Sequence, residues 1–206
     1  MGVMHVIRDL CLGLPGVTVF AGDLSDERLA VLRRLAEPVA RKNNVGLRTY
    51  NPKTDKLTEK FGYTVLMAPV PALVAAAIPT SATGGIINIF AGIPAQVSGE
   101  IDLDAYIEKR LYFIGTSGST LDDMKLVLAK VVGRQLDTNL SVAAISGLDG
   151  ALDGIRAVEK NAMPGKILVY PSMKGMKLTP LSDLAGKLPL KDGQWNKQAE
   201  EALVAG

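Results

Sequence analysis

The sequence predicts an α/β protein built on a doubly wound parallel sheet. Short aliphatic, β-branched runs alternate along the chain with stretches of helical periodicity, the signature of strands joined by crossover helices. Hydrophobic residues make up 48% of the 206 residues but aromatic residues only 5%, so the core is aliphatic, as suits parallel strands buried between helices. The 21 glycines and 11 prolines fall mostly between these runs, where they punctuate elements.

Taken in order, residues 1–14 place Val3, Val6, Ile7, Leu10, Cys11 and Leu14 on a helical spacing that Gly16 stops. Residues 16–22 read as a buried strand ending at Asp23. Ser25 supplies a hydroxyl cap, and Asp26 and Glu27 sit at the positive end of the next helix, expected to run to about Ala36, ahead of Pro38. A second strand is expected over 45–50, closed by Asn51-Pro52, then a polar helix over 55–61 and a third strand over 63–67. A helix over 71–78 leads through a Gly84-Gly85 turn into a fourth strand over 86–90, ended by Gly92 and Pro94. A fifth strand is read at 111–114. It is followed by an amphipathic helix over 120–132 with Leu121, Met124, Val127, Leu128 and Val131 on one face. Residues 141–145, 148–159 and Lys166–Tyr170 add a strand, a helix and a strand. Beyond Pro171 the pattern weakens to a looser linker around 174–191 and a short helix carrying Trp195, Ala199, Ala202 and Leu203.

Composition excludes several classes. A net charge of +2, from 23 basic and 21 acidic residues scattered along the chain, gives no footprint for nucleic acid. The single cysteine, Cys11, permits no internal disulfide and fits a reducing compartment. The richest apolar stretch, 65–78, is broken by Pro69 and Pro71, so no membrane span is expected, and no signal segment opens the chain. These features lead to the expectation of a cytoplasmic protein.

Asp23 is the residue most suggestive of chemistry. It ends a strand 21 residues after Gly2, with a helix between them. In dinucleotide-binding βαβ units a carboxylate at that place accepts hydrogen bonds from the adenosine ribose hydroxyls and repels a 2′-phosphate, favouring NAD over NADP. The plainer alternative is that Asp23 only helps to cap the helix over 25–36, and methyltransferases also place an acid at this point. Of a G-x-G-x-x-G loop only the last glycine is present, as Gly2, and no strand precedes it. Because the first strand of such a fold is central, the strands at 17–21 and 63–67 are each expected to face an empty slot. The expectation is that the native start lies upstream of Met1, the alternative being a rearranged sheet. Ser117-Gly118-Ser119-Thr120 reads as a strand-to-helix turn capped by Ser119 or Thr120. Asp122-Asp123 reads as a dipole complement, and Lys53, Lys56 and Lys60 as a solvated face. There is no G-x-S-x-G, Walker A or H-E-x-x-H motif.

Several segments, in order, resemble the medium-chain zinc-type alcohol and polyol dehydrogenases. Met1-Gly2-Val3-Met4-His5 is similar to the end of that family's G-x-G-P-M-G segment, and Phe20-Ala21-Gly22-Asp23-Leu24-Ser25-Asp26-Glu27-Arg28-Leu29 to its second strand and ribose-binding acid. Met67-Ala68-Pro69-Val70-Pro71 resembles the strand end that packs along the adenosine. Gly84-Gly85 and Asn88-Ile89-Phe90-Ala91-Gly92 resemble the strand beside the nicotinamide. Phe113-Ile114-Gly115-Thr116-Ser117-Gly118 resembles the strand that runs across a subunit interface, and Gly165-Lys166-Ile167-Leu168-Val169-Tyr170 the closing strand. The likeness covers roughly residues 1–171, and the Met67–Pro71 and 88–94 stretches lean toward the sorbitol and sorbose-phosphate branch.

The resemblance implies a Rossmann-like fold lacking its first strand and its N-terminal zinc-bearing barrel domain. It implies an incomplete dinucleotide-binding domain at 1–140, a strand–helix–strand at 141–171 returning toward the catalytic domain, and a tail at 172–206. It implies NAD as cofactor, held by Gly2, Val3, Met4, Asp23, Leu24, Arg28, Ala68, Pro69, Val70, Ala91, Gly92, Ile93, Thr116 and Ser117. The implied substrate is a polyol, sugar or sugar phosphate, and the implied partner is a second copy, as a homodimer or tetramer joined through the strand near 111–115. Zinc is expected only in the domain this sequence lacks: with one Cys and one His, six residues apart, the chain has no set of three ligands, and no catalytic residue is assigned in it. Cys11 is expected in the core, and His5 near the pyrophosphate or on the helix surface. The rival readings are a non-catalytic nucleotide-binding module and a Rossmann-type S-adenosylmethionine-dependent methyltransferase.

Overall fold

A computed structural model describes residues 2–115, 118–160 and 162–205. The chain forms two compact units, Met1–Thr54 together with Val127–Gly206, and Asp55–Leu126.

The first unit opens with helix α1 (Gly2–Cys11) and strand β1 (Thr18–Gly22), followed by α2 (Asp26–Asn43) and β2 (Gly46–Tyr50). Strands β1 and β2 pair in parallel from Thr18↔Gly46 to Gly22↔Tyr50. One helical face of α1 and one of α2 close over them: Ile7, Leu10, Leu32, Ala36, Ala40, Ala21 and Val45 form a single buried cluster. Full burial of side chains such as Ile7 and Leu10 contributes about 1.5–3 kcal/mol each.

Helix α2 begins as expected. Ser25 is its N-cap, with the hydroxyl accepting from the Arg28 amide at 3.3 Å. Ser25→Ala is expected to lower stability by about 1 kcal/mol, read as a lower urea midpoint with an unchanged m-value. The expected stop before Pro38 is wrong: the helix runs on to Asn43, with Pro38 inside it. Pro38 and Arg34 are both exposed, so the helical bond that proline cannot make to the Arg34 carbonyl is lost on the solvent-facing side. Ala40 meanwhile keeps the apolar face buried. The left-handed Asn44 (φ 52°) supplies the actual stop.

The second unit carries β3 (Phe61–Leu66), α3 (Pro71–Thr80), β4 (Ser81–Ile89), α4 (Leu103–Glu108) and β5 (Tyr112–Gly115), all three strands parallel in the order β3-β4-β5. Leu66, Val74, Ala77, Ile78, Ile87 and Leu111 are its core. The expected helix over 55–61 does not form. Seven polar-rich residues without an apolar face cannot offset the cost of nucleation, and residues 55–60 run without regular structure into β3. Gly84, expected in a turn ahead of the strand, lies within β4 at φ +74°, where the ladder to β3 shifts register. Two lysines close the C-terminal end of α3. The Lys109 ammonium donates to the carbonyls of Ile78, Pro79 and Ser81 at 3.0, 2.9 and 3.3 Å, and Lys60 to Pro79 at 2.9 Å.

Helix α5 (Leu121–Val132) starts in the second unit and ends in the first. Thr120 caps it in a reciprocal box: its hydroxyl accepts from the Asp123 amide at 3.2 Å, and its amide donates to the Asp123 carboxylate at 2.9 Å. The helix forms as expected, but its apolar face is largely exposed. No α5 residue is buried, Leu121 is 71% exposed, and of the five face residues Val131 is the one packed against the first core.

The rest of the first unit is β6 (Val142–Gly147), α6 (Ala151–Glu159), β7 (Lys166–Tyr170), β8 (Thr179–Pro180), α7 (Leu181–Leu184) and α8 (Lys197–Ala205). Strand β6 is central, parallel to β7 and antiparallel to β8. The looser linker expected around 174–191 is instead packed. Leu181 and Leu184 join Ile145, Trp195 and Ala199 in one buried cluster. Gly147 and Gly150 make that return possible, because a Cβ at either would run into the backbone of Met173 or of Lys177 and Leu178.

Among the described residues, β1 pairs with β2 alone and β3 with β4 alone. Each keeps one unpaired edge, as expected for the strands at 17–21 and 63–67. No helix of the described residues is long and apolar enough to cross a membrane.

Candidate dinucleotide-binding site

In open parallel α/β sheets ligands collect at the carboxyl ends of the strands, where helix N-termini and loops converge. Asp23 stands immediately beyond the carboxyl end of β1. Its amide donates to the Tyr50 carbonyl at 3.2 Å, which ties the end of β1 to the end of β2. The close approach depends on Gly22, where a Cβ would lie 2.6 Å from Cζ of Tyr50.

The Asp23 side chain is 34% exposed. Oδ1 accepts from the Ser25 amide at 2.9 Å, and Oδ2 faces the Arg28 guanidinium at 3.8 Å. The N-cap of α2 is thus Ser25, and Asp23 adds a hydrogen bond to the turn while its second oxygen stays open to solvent and a half-exposed arginine. An exposed pair at that distance contributes little to stability. Chemically it is a fixed carboxylate with acceptor capacity left over, suited to vicinal hydroxyls. Leu24, beside it, is 59% exposed.

Asn51 also belongs here, although in the sequence it stands out only as a strand stop. It is 6% exposed, and its side-chain amide donates to the Asp26 carboxylate at 2.9 Å and the Leu24 carbonyl at 3.4 Å. The signal that would have found it is a buried amide directly before a proline at a strand end, abreast of the acid on the next strand.

Gly2, Val3 and Met4 form the first turn of α1, with Val3 and Met4 packed against the first core rather than turned fully outward. His5 is half-buried in α1. Burial lowers its pKa below the ordinary value, against the opposing pull of Asp9, so it is neutral at pH 7. Cys11 packs beside the same core, and burial pushes its thiol pKa up, leaving it protonated and unreactive.

In the second unit Ala68, Pro69 and Val70 follow β3, and Ala91, Gly92 and Ile93 follow β4, at the carboxyl ends of adjacent parallel strands. The Ala91 amide donates to the Leu66 carbonyl at 3.0 Å, locking the two ends together. Ala68, Pro69, Val70 and Gly92 are exposed, while Ile93 packs on the core. Thr116 and Ser117 lie outside the described residues. The described residues hold no cluster of three His, Cys, Asp or Glu side chains fit for a metal ion, and with one His and one Cys the donor set does not fit a zinc site. The Asp23 carboxylate does fit the ribose end of a dinucleotide.

No protein-family model matches the chain. Among curated proteins it is 28% identical over 232 aligned positions to YggP of Escherichia coli K12, a match that takes in 100% of this chain and 54% of that protein. It is 31% identical over 147 positions to the L-sorbose 1-phosphate reductase of Klebsiella pneumoniae, covering 68% of this chain and 35% of the reductase. Among solved structures, 82% of the chain superposes on 48% of the 2R,3R-butanediol dehydrogenase of Bacillus subtilis, with a TM-score of 0.65 and 19% identity. The chain thus has the fold of about half of an alcohol dehydrogenase chain. An alcohol dehydrogenase of Escherichia coli CFT073, solved with NADH, matches 74% of this chain with 45% of its own length at a TM-score of 0.60 and 14% identity. The chain thus spans about half the length, or less, of the proteins it matches.

Proposed function

We propose that this chain is the coenzyme-binding portion of an NAD-dependent oxidoreductase acting on a polyol, sugar or sugar phosphate. The observation that carries the reading is the Asp23 carboxylate, held partly exposed at the carboxyl end of β1, in a chain with the fold of about half of an alcohol dehydrogenase. The likeness to a sorbose-phosphate reductase supports the sugar side of the substrate class.

In this reading bound NAD accepts or returns the hydride, and the residues of this chain bind and orient it. Asp23 accepts from the ribose hydroxyls. Leu24, exposed beside it, offers apolar surface to the adenosine end. Gly2 in the first turn of α1 stands where a helix N-terminus meets a pyrophosphate. No residue here is assigned to the reacting atoms, so the chain alone is inactive. Any zinc site belongs to the half of the relatives' length outside the match. Edge strand β5, with Tyr112 and Ile114 exposed at alternate positions, is the surface proposed to meet a second copy.

The test is a titration of the chain with NADH and NADPH, followed by nicotinamide fluorescence. NADH is expected to bind at least about tenfold more tightly than NADPH, from charge repulsion at Asp23. Equal affinities, or no NADH binding together with tight binding of S-adenosylmethionine, would sink the reading.

A further inference from the structure

We infer that Asn51 is a positioning residue for this site, holding the turn of residues 24–26 from the end of β2 and so setting where the Asp23 carboxylate stands. The inference rests on the dinucleotide reading above and goes one step further.

The geometry is specific to an amide. Asn51 must donate toward the turn, to Asp26 Oδ1 at 2.9 Å and the Leu24 carbonyl at 3.4 Å. It must also accept, its Oδ1 taking the Lys53 amide at 3.1 Å. Among short side chains only the Asn amide combines two N–H donors with a separate acceptor oxygen. Asn51 is itself anchored, since its carbonyl accepts from the Thr54 amide at 3.0 Å and its side chain is buried.

Strands β1 and β2 are in register up to Gly22↔Tyr50, so residues 23 and 51 leave the sheet abreast. The turn is therefore gripped at both ends. Asp23 is tied to Tyr50 through its amide, and residues 24 and 26 are tied to Asn51. Without Asn51, Asp23 stays tied to Tyr50 through its amide, but residues 24–26 are left with the local Asp23–Ser25 and Ser25–Arg28 hydrogen bonds. Those hold the shape of the turn but not its place against β2.

The test is a double-mutant cycle on the whole chain, measuring dissociation constants for NADH and NADPH in the wild type, Asn51→Ala, Asp23→Ala and the double variant. Asn51→Ala is expected to weaken NADH by about tenfold and to narrow the NADH-to-NADPH ratio, because a displaced carboxylate both holds the ribose and repels the 2′-phosphate less well. In the Asp23→Ala background the same change is expected to cost less than about twofold. An equal loss for both nucleotides, or an undiminished effect without Asp23, would reduce Asn51 to a structural residue and overturn the inference. If Asp23→Ala alone leaves NADH affinity unchanged, the ribose reading falls instead, and that pattern is distinct.

A second readout does not depend on ligand. Amide exchange at Ser25 and Arg28 is expected to accelerate in Asn51→Ala while exchange in α8 stays as in the wild type. Unchanged exchange at Ser25 overturns the inference. Asn51→Asp keeps the acceptor but loses the donor and sets a second charge against Asp26, so it is expected to do more damage than Asn51→Ala.

Discussion

Trp195→Ala is expected to cost about 3–5 kcal/mol of stability, the largest loss among the substitutions considered for this chain. Trp195 is 3% exposed in the cluster of Ile145, Leu181, Leu184 and Ala199, so its removal leaves a cavity between the central strand β6 and the returning C-terminal segment. Its ring also lies 6.2 Å from that of Tyr170, whose hydroxyl donates to the Glu200 carboxylate at 2.8 Å, so one residue joins β7, α7 and α8. Urea unfolding followed by far-UV circular dichroism measures the loss. Trp195→Phe is expected to lose less than half as much, because an aromatic ring still fills most of the volume. A loss below about 1 kcal/mol for Trp195→Ala would mean that the segment after Pro171 is not part of the folded core. Trp195 is the only tryptophan in the chain, so the wild-type emission reports the same unfolding independently.

That cluster also shows where sequence reasoning reaches its limit. Periodicity identifies an element when one face repeats over several turns, as in α1 and α2, or when an aliphatic run stands between turn residues, as β1 does between Gly16 and Gly22 and β7 between Gly165 and Pro171. Residues 174–191 have neither. A two-residue strand and a four-residue helix bury Leu181 and Leu184 by returning to β6, a long-range contact with no local signature. Pro38 misled for a related reason. Proline ends a helix by a local rule, but the burial of Ala40 on the next turn outweighs one lost hydrogen bond on a wet face. Helix α5 is the converse case: Leu121, Met124 and Leu128 mark an apolar face correctly, but periodicity cannot say what covers it. At the site, Asp23 was legible because the strand end and the spacing from Gly2 are both sequence features. Asn51 was not, because its role arises from the register of β1 against β2 and the depth at which its amide is buried.

Asp23→Ala is expected to weaken NADH binding by about 10- to 100-fold and NADPH binding by much less, or to strengthen it. A carboxylate accepting charge-assisted hydrogen bonds from ribose hydroxyls contributes about 1.5–3 kcal/mol, which corresponds to that range. The same negative charge opposes a 2′-phosphate, so its loss removes repulsion for NADPH as it removes attraction for NADH. Arg28, 3.8 Å from the carboxylate in the native chain, then stands free to face the phosphate. Stability should fall by no more than about 1 kcal/mol, from the lost Ser25 amide hydrogen bond, because the Arg28 pair is exposed and the N-cap hydroxyl belongs to Ser25. That separation makes the measurement decisive. A helix-capping role for Asp23 predicts a lower unfolding midpoint and no change in the ratio of the two nucleotide affinities. A ribose-binding role predicts a shifted ratio at a nearly constant midpoint. Asp23→Asn sharpens the distinction, since it keeps an acceptor for the Ser25 amide and loses the charge: the ratio should still shift, and the turn should stay closed.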